Sequence, residues 1–253
     1  MTDRRPRTIA ALALLAALAL PLAAPAAAKQ SGAEQGGAEP SPTPALTWAP
    51  LVTPPPIVIP GPLTPQALAD GYVLGAADAP VEVQVWEDFQ CPFCRRWAEQ
   101  VKPLLIERYI LPGEVRLVFR PLFFLGEESR WAAVAADLAA EQNHFWALHD
   151  LFYANQMGEN VGSFSLDRIL SMAEAAGVEM ETFRAGLVLD AARARYAQLE
   201  RSVLPDAVAW QVDRTPTVIV NGVKLESPDW ESVDAAIAAA LAPAPSPAPS
   251  PAG

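Results

Sequence analysis

Alternation of apolar and polar residues marks the first predicted strand of this chain. Valines at positions 81, 83 and 85 alternate with Glu82 and Gln84, and the run ends at Trp86. A period of two residues is typical of a strand that buries one face. Branched residues at 115–120 and 217–220 predict two further strands, and Asn221-Gly222 predicts a turn into a fourth at about 223–225.

Helical patterns fill the intervals between these strands. The first predicted helical segment is residues 91–110, with a kink at Pro103. The second is residues 126–210, in which one helix is capped by Ser165 and ended by Gly177. The last helix is opened by Ser227-Pro228 and has Trp230, Val233, Ile237 and Leu241 on one face. The order is therefore strand, helix, strand, a helical block, two strands and a helix. This order predicts an α/β fold.

Both ends of the chain differ in composition from its centre. Three arginines precede an apolar run at residues 9–22, and Ala26-Ala27-Ala28 offers a cleavage site. This pattern predicts a signal peptide over residues 1–28, or an anchor if it stays uncleaved, because residues 9–28 form an apolar stretch of about 20 residues. Proline-rich composition predicts a disordered linker at 29–63 and a disordered Pro/Ala/Ser tail at 242–253, which leaves one domain at 64–241.

Composition excludes several classes of function. The 253 residues are 51% hydrophobic and carry 18 Lys and Arg against 29 Asp and Glu, for a formal charge of −11. This balance argues against binding of nucleic acid, which needs a basic face. Two cysteines are too few for a four-cysteine zinc site, and His144 and His149 are poorly spaced on a helix for one metal, so helix packing is their expected role. We expect no metal and no cofactor.

The two cysteines form a C-x-x-C motif, Cys91-Pro92-Phe93-Cys94, between a predicted strand and a predicted helix. Pro92 suits the first helical position, which places Cys91 at the helix N-terminus, where unpaired N–H groups and the helix dipole stabilise a thiolate. Cys94, in the first turn, is expected to be more buried and to react second. The alternatives are half of a zinc site, a structural disulfide and two buried free thiols.

A second motif precedes the third strand. In Arg214-Thr215-Pro216-Thr217 a proline stands where the strand begins, a position at which its missing N–H is tolerated. A cis Thr215–Pro216 bond would expose the backbone of Thr215, which could then pair with an extended substrate peptide as an added strand. An ordinary proline at a strand start explains the motif equally well.

These residues resemble the DsbA-like group of the thioredoxin superfamily over most of residues 70–241. The resemblance rests on Ala79-Pro80-Val81, on Asp88-Phe89-Gln90 with the C-x-x-C motif, on residues 141–156 with Phe145-Trp146 and His149-Asp150, and on Thr215-Pro216-Thr217 with Asn221-Gly222. It implies a thioredoxin-like fold, a central mixed sheet with a helical subdomain inserted at about 126–210. It also implies that Cys91 attacks, Cys94 resolves and Pro216 is a cis proline facing them, with Thr215, Pro92 and Phe93 on the substrate side.

The sequence departs from this family at charged positions near the motif. Val85 stands where relatives usually carry a buried acid, which puts in doubt the proton acceptor for Cys94. Glu87 has the same parity in an extended strand and is a candidate substitute, although a solvated carboxylate explains it equally well. Arg95 and Arg214 are candidate cations that would lower the pKa of Cys91, or else ordinary solvated side chains.

The expected function is that of an exported thiol–disulfide oxidoreductase. A Cys91 pKa lowered from about 8.5 to about 5 would stabilise the reduced protein by roughly 2.7 kcal/mol at pH 7, or roughly 60 mV, which predicts an oxidant of intermediate strength. The predicted signal segment places the domain outside the cytoplasm, with exported proteins as its substrates. The resemblance implies a membrane quinone-linked partner as reoxidant, and we expect a monomer. The alternatives are a reductase or isomerase, and a non-catalytic peptide-binding module.

Overall fold

The computed structural model describes residues 55–243. The predicted signal peptide, most of the predicted linker and most of the predicted tail therefore lie outside the described residues. Among the described residues, no helix has both the length and the apolar character needed to cross a bilayer.

A six-stranded mixed sheet forms the centre of the domain, in the order β1-β2-β4-β3-β5-β6. The strands are β1 (Ala69–Asp70), β2 (Val73–Leu74), β3 (Val81–Glu87), β4 (Val115–Pro121), β5 (Thr217–Val220) and β6 (Val223–Lys224). β3 and β4 are parallel, and every other neighbouring pair is antiparallel. The sheet confirms the predicted α/β class and the predicted central mixed sheet.

Helices cover the sheet and fill the interval between β4 and β5. They are α1 (Pro92–Gln100), α2 (Lys102–Leu105), α3 (Glu127–Glu141), α4 (Phe145–Ala154), α5 (Leu166–Ala175), α6 (Met180–Gly186), α7 (Leu189–Ala209) and α8 (Trp230–Leu241), with a 3₁₀ turn at Gln66–Leu68 and a π-helical segment at Ile106–Ile110. Helices α3 to α7 confirm the inserted helical subdomain, and its observed limits lie within one residue of those predicted.

The alternation in β3 sends side chains into cores on both faces of the sheet. Val81, Val83 and Val85 are fully buried in the larger core, which α1, α3, α4, α5 and α8 complete. Trp86 points to the other face, where Val203 and Ala207 of α7 cover it. Because both faces of β3 are covered, the end of this strand lies inside the protein, and so do the residues that follow it.

Two predicted boundaries are wrong in detail, and one hairpin was not predicted. The helix predicted at 91–110 breaks at Val101 rather than kinking at Pro103, because Pro103 stands in the first turn of α2, where its missing N–H costs nothing. The last helix begins at Trp230, since the side chain of Asp229 accepts a hydrogen bond from the Ser232 amide at 2.8 Å and caps it. The β1–β2 hairpin was not predicted, because its two-residue strands show no period.

The predicted disordered linker ends too late. Residues 55–63 are in contact with the helical subdomain: the Val58 amide donates to Asn155 Oδ1 at 2.7 Å, and Asn155 Nδ2 donates to the Val58 carbonyl at 2.7 Å. The buried Arg168 donates to the carbonyl of Pro55 at 2.6 Å. These polar partners come from α4 and α5, so the backbone of this proline-rich segment is fixed by tertiary contacts.

Candidate active site

Cys91 stands at the N-terminus of α1, as its spacing predicts. It has an extended backbone, with φ −72° and ψ 121°, and Pro92 follows at the first helical position. The Arg95 amide donates to the Cys91 carbonyl at 3.2 Å, which closes the first turn of α1. Both cysteines are free thiols; 5% of Cys91 is exposed, whereas Cys94 is completely buried. The structure therefore gives only Cys91 access to solvent.

The Thr215–Pro216 loop faces this cysteine. The peptide bond between Thr215 and Pro216 is cis, and the thiol of Cys91 donates to the Thr215 carbonyl with 3.4 Å between sulfur and oxygen. Thr215 is half-buried and Pro216 is buried. The sequence motifs at 91–94 and 214–217, which are more than a hundred residues apart, thus meet at one place.

Hydrogen bonds dominate the electrostatics of Cys91. The largest influence is the side-chain hydrogen bond from Cys94, which lowers the pKa of Cys91. Burial raises this pKa, whereas hydrogen bonds from the Thr215 side chain and from the amides of Cys94 and Phe93 lower it further. Together they lower the pKa of Cys91 from 9.0 to about 6. This is a weaker shift than the predicted value of about 5.

Cys94 has the opposite electrostatic environment. Burial is the main reason that its pKa is raised well above the ordinary thiol value, and the hydrogen bond to Cys91 and the negative charge of Glu87 raise it further. At neutral pH one sulfur is therefore largely a thiolate and its neighbour a thiol. This division is the one that ordered thiol chemistry needs.

The pKa of Cys91 makes a direct prediction for the reduced protein. We expect the ultraviolet absorbance of its thiolate to titrate with a midpoint near pH 6. The stabilisation of the reduced fold by this group is complete above the ordinary thiol pKa and is lost as pH falls through about 6. Replacing Cys94 by alanine removes the largest cause of the shift, so the midpoint should rise towards the ordinary value.

The matched control for this titration is Cys94→Ser, which keeps a hydroxyl donor at the same place. We expect its midpoint to lie between those of the natural protein and Cys94→Ala. Equal midpoints in all three proteins would show that the hydrogen bond from Cys94 does not set the pKa of Cys91.

The two candidate arginines lie at the edge of the site. Arg95 pairs with Glu99 at 2.8 Å and donates to the carbonyl of Gln156 at 3.1 Å. Arg214 is exposed and lies 3.5 Å from Asp213. Since hydrogen bonds are the largest influences on Cys91, a role for either arginine in its ionisation stays a prediction.

Glu87 is completely buried at the end of β3, so the interpretation as a solvated carboxylate is wrong. Its Oε2 lies 3.2 Å from Nε2 of His149, and Oε1 is buried with no hydrogen-bond partner among the described residues. Val85 is buried among apolar side chains and leaves that position without an acid. The parity of Glu87 with Val85 in an extended strand correctly indicated that the Glu87 side chain is buried. Its role as the proton acceptor for Cys94 stays a prediction.

A second polar network fixes the loop that carries Cys91. The buried carboxylate of Asp88 accepts hydrogen bonds from Ser129 Oγ at 2.6 Å and from the amides of Gln90 at 2.9 Å and Leu125 at 3.2 Å. Gln156 Nε2 donates to the carbonyls of Phe89 at 2.6 Å and Cys91 at 3.1 Å. The helical subdomain thus holds the backbone of residues 88–91, from the end of β3 to the first cysteine.

A groove beside Cys91 is open to a substrate. Phe93 is 58% exposed, and with Pro216, Trp97, Leu104 and Trp230 it lines a cavity of about 470 Å³. Phe93 and Pro216 also line a neighbouring cavity of about 320 Å³ that reaches Arg214 and Thr215. The walls are largely apolar. The Thr215 carbonyl lies 3.4 Å from Sγ of Cys91.

No group of His, Cys, Asp and Glu side chains within residues 55–243 is arranged to hold a metal ion. The Cys91–Cys94 pair has no further ligand there.

Comparisons with known proteins place these features in a family. The family model described as Thioredoxin matches residues 68–239. This chain belongs to that thioredoxin family. The probable disulfide bond formation protein D of Bacillus cereus is 34% identical over 171 residues, which cover 65% of this chain and 76% of the relative.

Solved structures agree with this thioredoxin assignment. BdbD from Bacillus subtilis, in its oxidised form, is 23% identical, with a TM-score of 0.59 and coverage of 68% of this chain and 93% of that one. A thioredoxin-like oxidoreductase from Silicibacter pomeroyi DSS-3 is 26% identical, with a TM-score of 0.54 and coverage of 66% and 90%. The chain is a DsbA-like thiol–disulfide oxidoreductase of the thioredoxin superfamily.

Several polar residues near the site were not predicted from the sequence. His149 packs among aromatic rings, as expected, but it also contacts Glu87, Asp150 and Lys102. Lys102 is buried and forms an ion pair with Asp150. The signal for this group was a lysine inside an apolar helix face together with adjacent His149-Asp150.

Proposed function

We propose that this protein is an exported oxidase that transfers the Cys91–Cys94 disulfide to thiols of other exported proteins. The observation that carries the proposal is the lowered pKa of Cys91, about 6, at a sulfur that lies 3.4 Å from the Thr215 carbonyl, next to a groove lined by Phe93 and Pro216. A thiolate that is stable in the reduced protein is a good leaving group, so it favours transfer of the disulfide to a substrate.

The reaction consists of two exchanges. A substrate thiolate attacks Sγ of Cys91 in the disulfide form, the Cys91–Cys94 bond breaks, and Cys94 leaves as a thiolate that takes up a proton. A second substrate thiolate then attacks the substrate sulfur of the mixed disulfide and releases the Cys91 thiolate. Two electrons pass from the substrate to the cysteine pair. Glu87 is the proposed group that passes this proton to Cys94, because it is buried at the end of β3 and is close enough for its charge to influence Cys94.

The pKa of Cys91 sets the size of the driving force. A shift from 9.0 to about 6 stabilises the reduced protein by about 1.4 kcal/mol at pH 7, which makes the potential more oxidising by about 30 mV. This gain is roughly half of that predicted from the sequence. It supports an oxidant of intermediate strength rather than a strong one.

The substrate side of the proposal rests on the groove beside Phe93. An extended peptide that pairs with the backbone of Thr215 would bring its cysteine to Cys91, and its apolar side chains would contact Phe93 and Pro216. Pro92 and Phe93 are exposed next to the reacting sulfur and are the proposed contacts on that side. We propose no nucleic-acid partner and a monomeric oxidase.

Export and reoxidation complete the proposal. Support for export comes from the arginines and the apolar run within residues 1–28, and disulfides persist outside the cytoplasm. A membrane quinone-linked partner would accept the two electrons from the reduced cysteine pair, as the family resemblance implies. Residues 29–54 are rich in proline and would separate the domain from the membrane if the signal segment stays uncleaved.

The reduction potential of the Cys91–Cys94 pair tests this proposal. We expect equilibration with glutathione buffers to give a potential more oxidising than the value of about −270 mV for thioredoxin, and the oxidised protein to convert a two-cysteine peptide into its disulfide. A potential at or below that value, with faster reduction of insulin than oxidation of the peptide, would assign a reductase. Peptide binding that survives replacement of both cysteines by serine, with no exchange by the natural protein, would assign a binding module.

A further inference from the structure

A series of buried polar side chains leads from Glu87, at the end of β3, to a second cavity. Glu87 Oε2 is 3.2 Å from His149 Nε2, and His149 Nδ1 is 3.3 Å from Asp150 Oδ1 and 3.4 Å from Lys102 Nζ. Glu87 and His149 are completely buried, whereas 13% of the Asp150 side chain is exposed. This series of side chains therefore begins at the end of β3 and ends at Asp150, which is in contact with solvent.

The cavity at the far end is separate from the groove beside Phe93. It has a volume of about 410 Å³, and Lys102, Asp150, Tyr153, Pro60 and Thr64 are among the residues that line it. None of its lining residues also lines the groove. Protons that enter or leave through this cavity would not cross the surface on which a substrate lies.

His149 has neighbours that suit both of its neutral tautomers. When Nε2 carries the proton, it donates to the ionised carboxylate of Glu87, and Nδ1 accepts from Lys102. When Nδ1 carries the proton, it donates to Asp150, and Nε2 accepts from the protonated carboxyl of Glu87. Either protonation state of Glu87 thus finds a hydrogen-bonded partner, because Nδ1 lies between one donor and one acceptor.

We propose that His149 is a positioning residue that relays protons between Glu87 and the Lys102–Asp150 pair, and so supplies the proton exchanged by Cys94. The proposal rests on the proposed role of Cys91 and Cys94 and deepens it. When Cys94 leaves as a thiolate, Nε2 of His149 passes its proton to the ionised Glu87 while Nδ1 takes up a proton from solvent at the cavity, and the Glu87 carboxyl then gives its proton to Cys94. In the reverse direction each transfer runs backwards, so protons and charge balance in both.

The charged and titratable groups around this relay come from four elements. Cys91 and Cys94 belong to the start of α1, Lys102 to α2, Asp150 and Tyr153 to α4, and Asp88 to the loop after β3. Burial raises the pKa of Asp150, but the charge of Lys102 and the hydrogen bond with His149 lower it more, and the net shift is downward. Burial raises the pKa of Tyr153 well above its ordinary value, so this phenol stays neutral. Asp150 therefore stays ionised at the cavity while His149 changes tautomer.

A two-step reaction with dithiobis-nitrobenzoate separates the two cysteines. The Cys91 thiolate of the reduced protein attacks an equimolar amount of the reagent and releases one coloured thiolate. Cys94 then loses a proton, attacks Sγ of Cys91 and releases the second. For His149→Gln we expect the second release to slow at least tenfold, with the first changed less than twofold. We also expect the solvent deuterium effect on the second release to fall in this variant.

The matched control is His144→Gln at the N-cap of the same helix, because the polar contacts of His144 are the Ala176 carbonyl and Gln66, neither of which belongs to the relay. We expect it to change neither release. Asp150→Asn alters the cavity end and provides a second variant if His149→Gln does not fold; it should also slow the second release selectively. In the natural protein, the second release should slow in deuterium oxide.

Three results would overturn the relay. They are an unchanged second release in every folded variant, an equal slowing of both releases accompanied by a lower melting temperature, and no deuterium effect in the natural protein. Failure of the proposed oxidase would look different, because it would appear in the first release or in the reduction potential. The second release reports on Cys94 whichever direction the enzyme favours.

Discussion

Replacing Cys91 by serine is expected to lower the rate of disulfide exchange with a two-cysteine peptide by more than a thousandfold. The serine hydroxyl does not ionise at neutral pH, and Cys94 has no exposed surface from which to attack a substrate. The raised pKa of Cys94 keeps it protonated as well. The rate of peptide oxidation, followed by the fluorescence of a labelled peptide, measures the effect.

Cys94→Ala provides the contrasting result for the same experiment. Its Cys91 stays at the N-terminus of α1 with the same slight access to solvent, so we expect it to attack an added aromatic disulfide at a rate within about tenfold of the natural one. The mixed disulfide should then persist, because no second thiol displaces it, and non-reducing gel electrophoresis detects it. Exchange retained by Cys91→Ser, or no mixed disulfide in Cys94→Ala, would contradict the assigned order of the two sulfurs.

Local patterns were sufficient to predict the reactive half of this site. The alternating valines fixed the end of β3, and the position of Pro92 then placed Cys91 at the N-terminus of α1. These features depend on residues that are adjacent in the chain, so sequence spacing determines them. The contact between Cys91 and Thr215 could be expected only from the family resemblance, because no local pattern in either segment indicates that the two are adjacent in the fold.

The contacts of the buried polar residues could not be predicted from local sequence patterns, because they depend on how distant segments pack. His149 is 62 residues from Glu87 and 47 from Lys102, and its polar contacts exist only because α2, α4 and β3 pack together. In the sequence alone, a histidine on an apolar helix face indicates only packing. The same holds for the proline-rich residues 55–58, whose backbone partners Asn155 and Arg168 lie about a hundred residues away.

Asp88→Ala is expected to have the largest effect on stability, a loss of about 3 kcal/mol in the free energy of unfolding. The change leaves the Gln90 and Leu125 amides and the Ser129 hydroxyl without their acceptor, and each buried unsatisfied donor costs about 1–3 kcal/mol. Part of this cost is offset, because burial raises the pKa of Asp88 and the ionised carboxylate is itself destabilising. Urea denaturation measures the difference.

Asp88→Asn is the matched control, since its amide oxygen still accepts from two of the three donors, and we expect it to lose only about 1 kcal/mol. The raised pKa also fixes a pH dependence: the contribution of Asp88 to stability is complete below its ordinary pKa and declines as pH rises through the higher pKa of the folded state. The natural protein should therefore lose its advantage over Asp88→Asn as pH rises across that range.

Because the Cys91 amide donates to the Asp88 carbonyl at 2.9 Å, a displaced loop in Asp88→Ala should also move the titration midpoint of Cys91. Equal unfolding free energies for the alanine and asparagine variants would mean that these donors find other acceptors, and that the loop does not depend on the carboxylate.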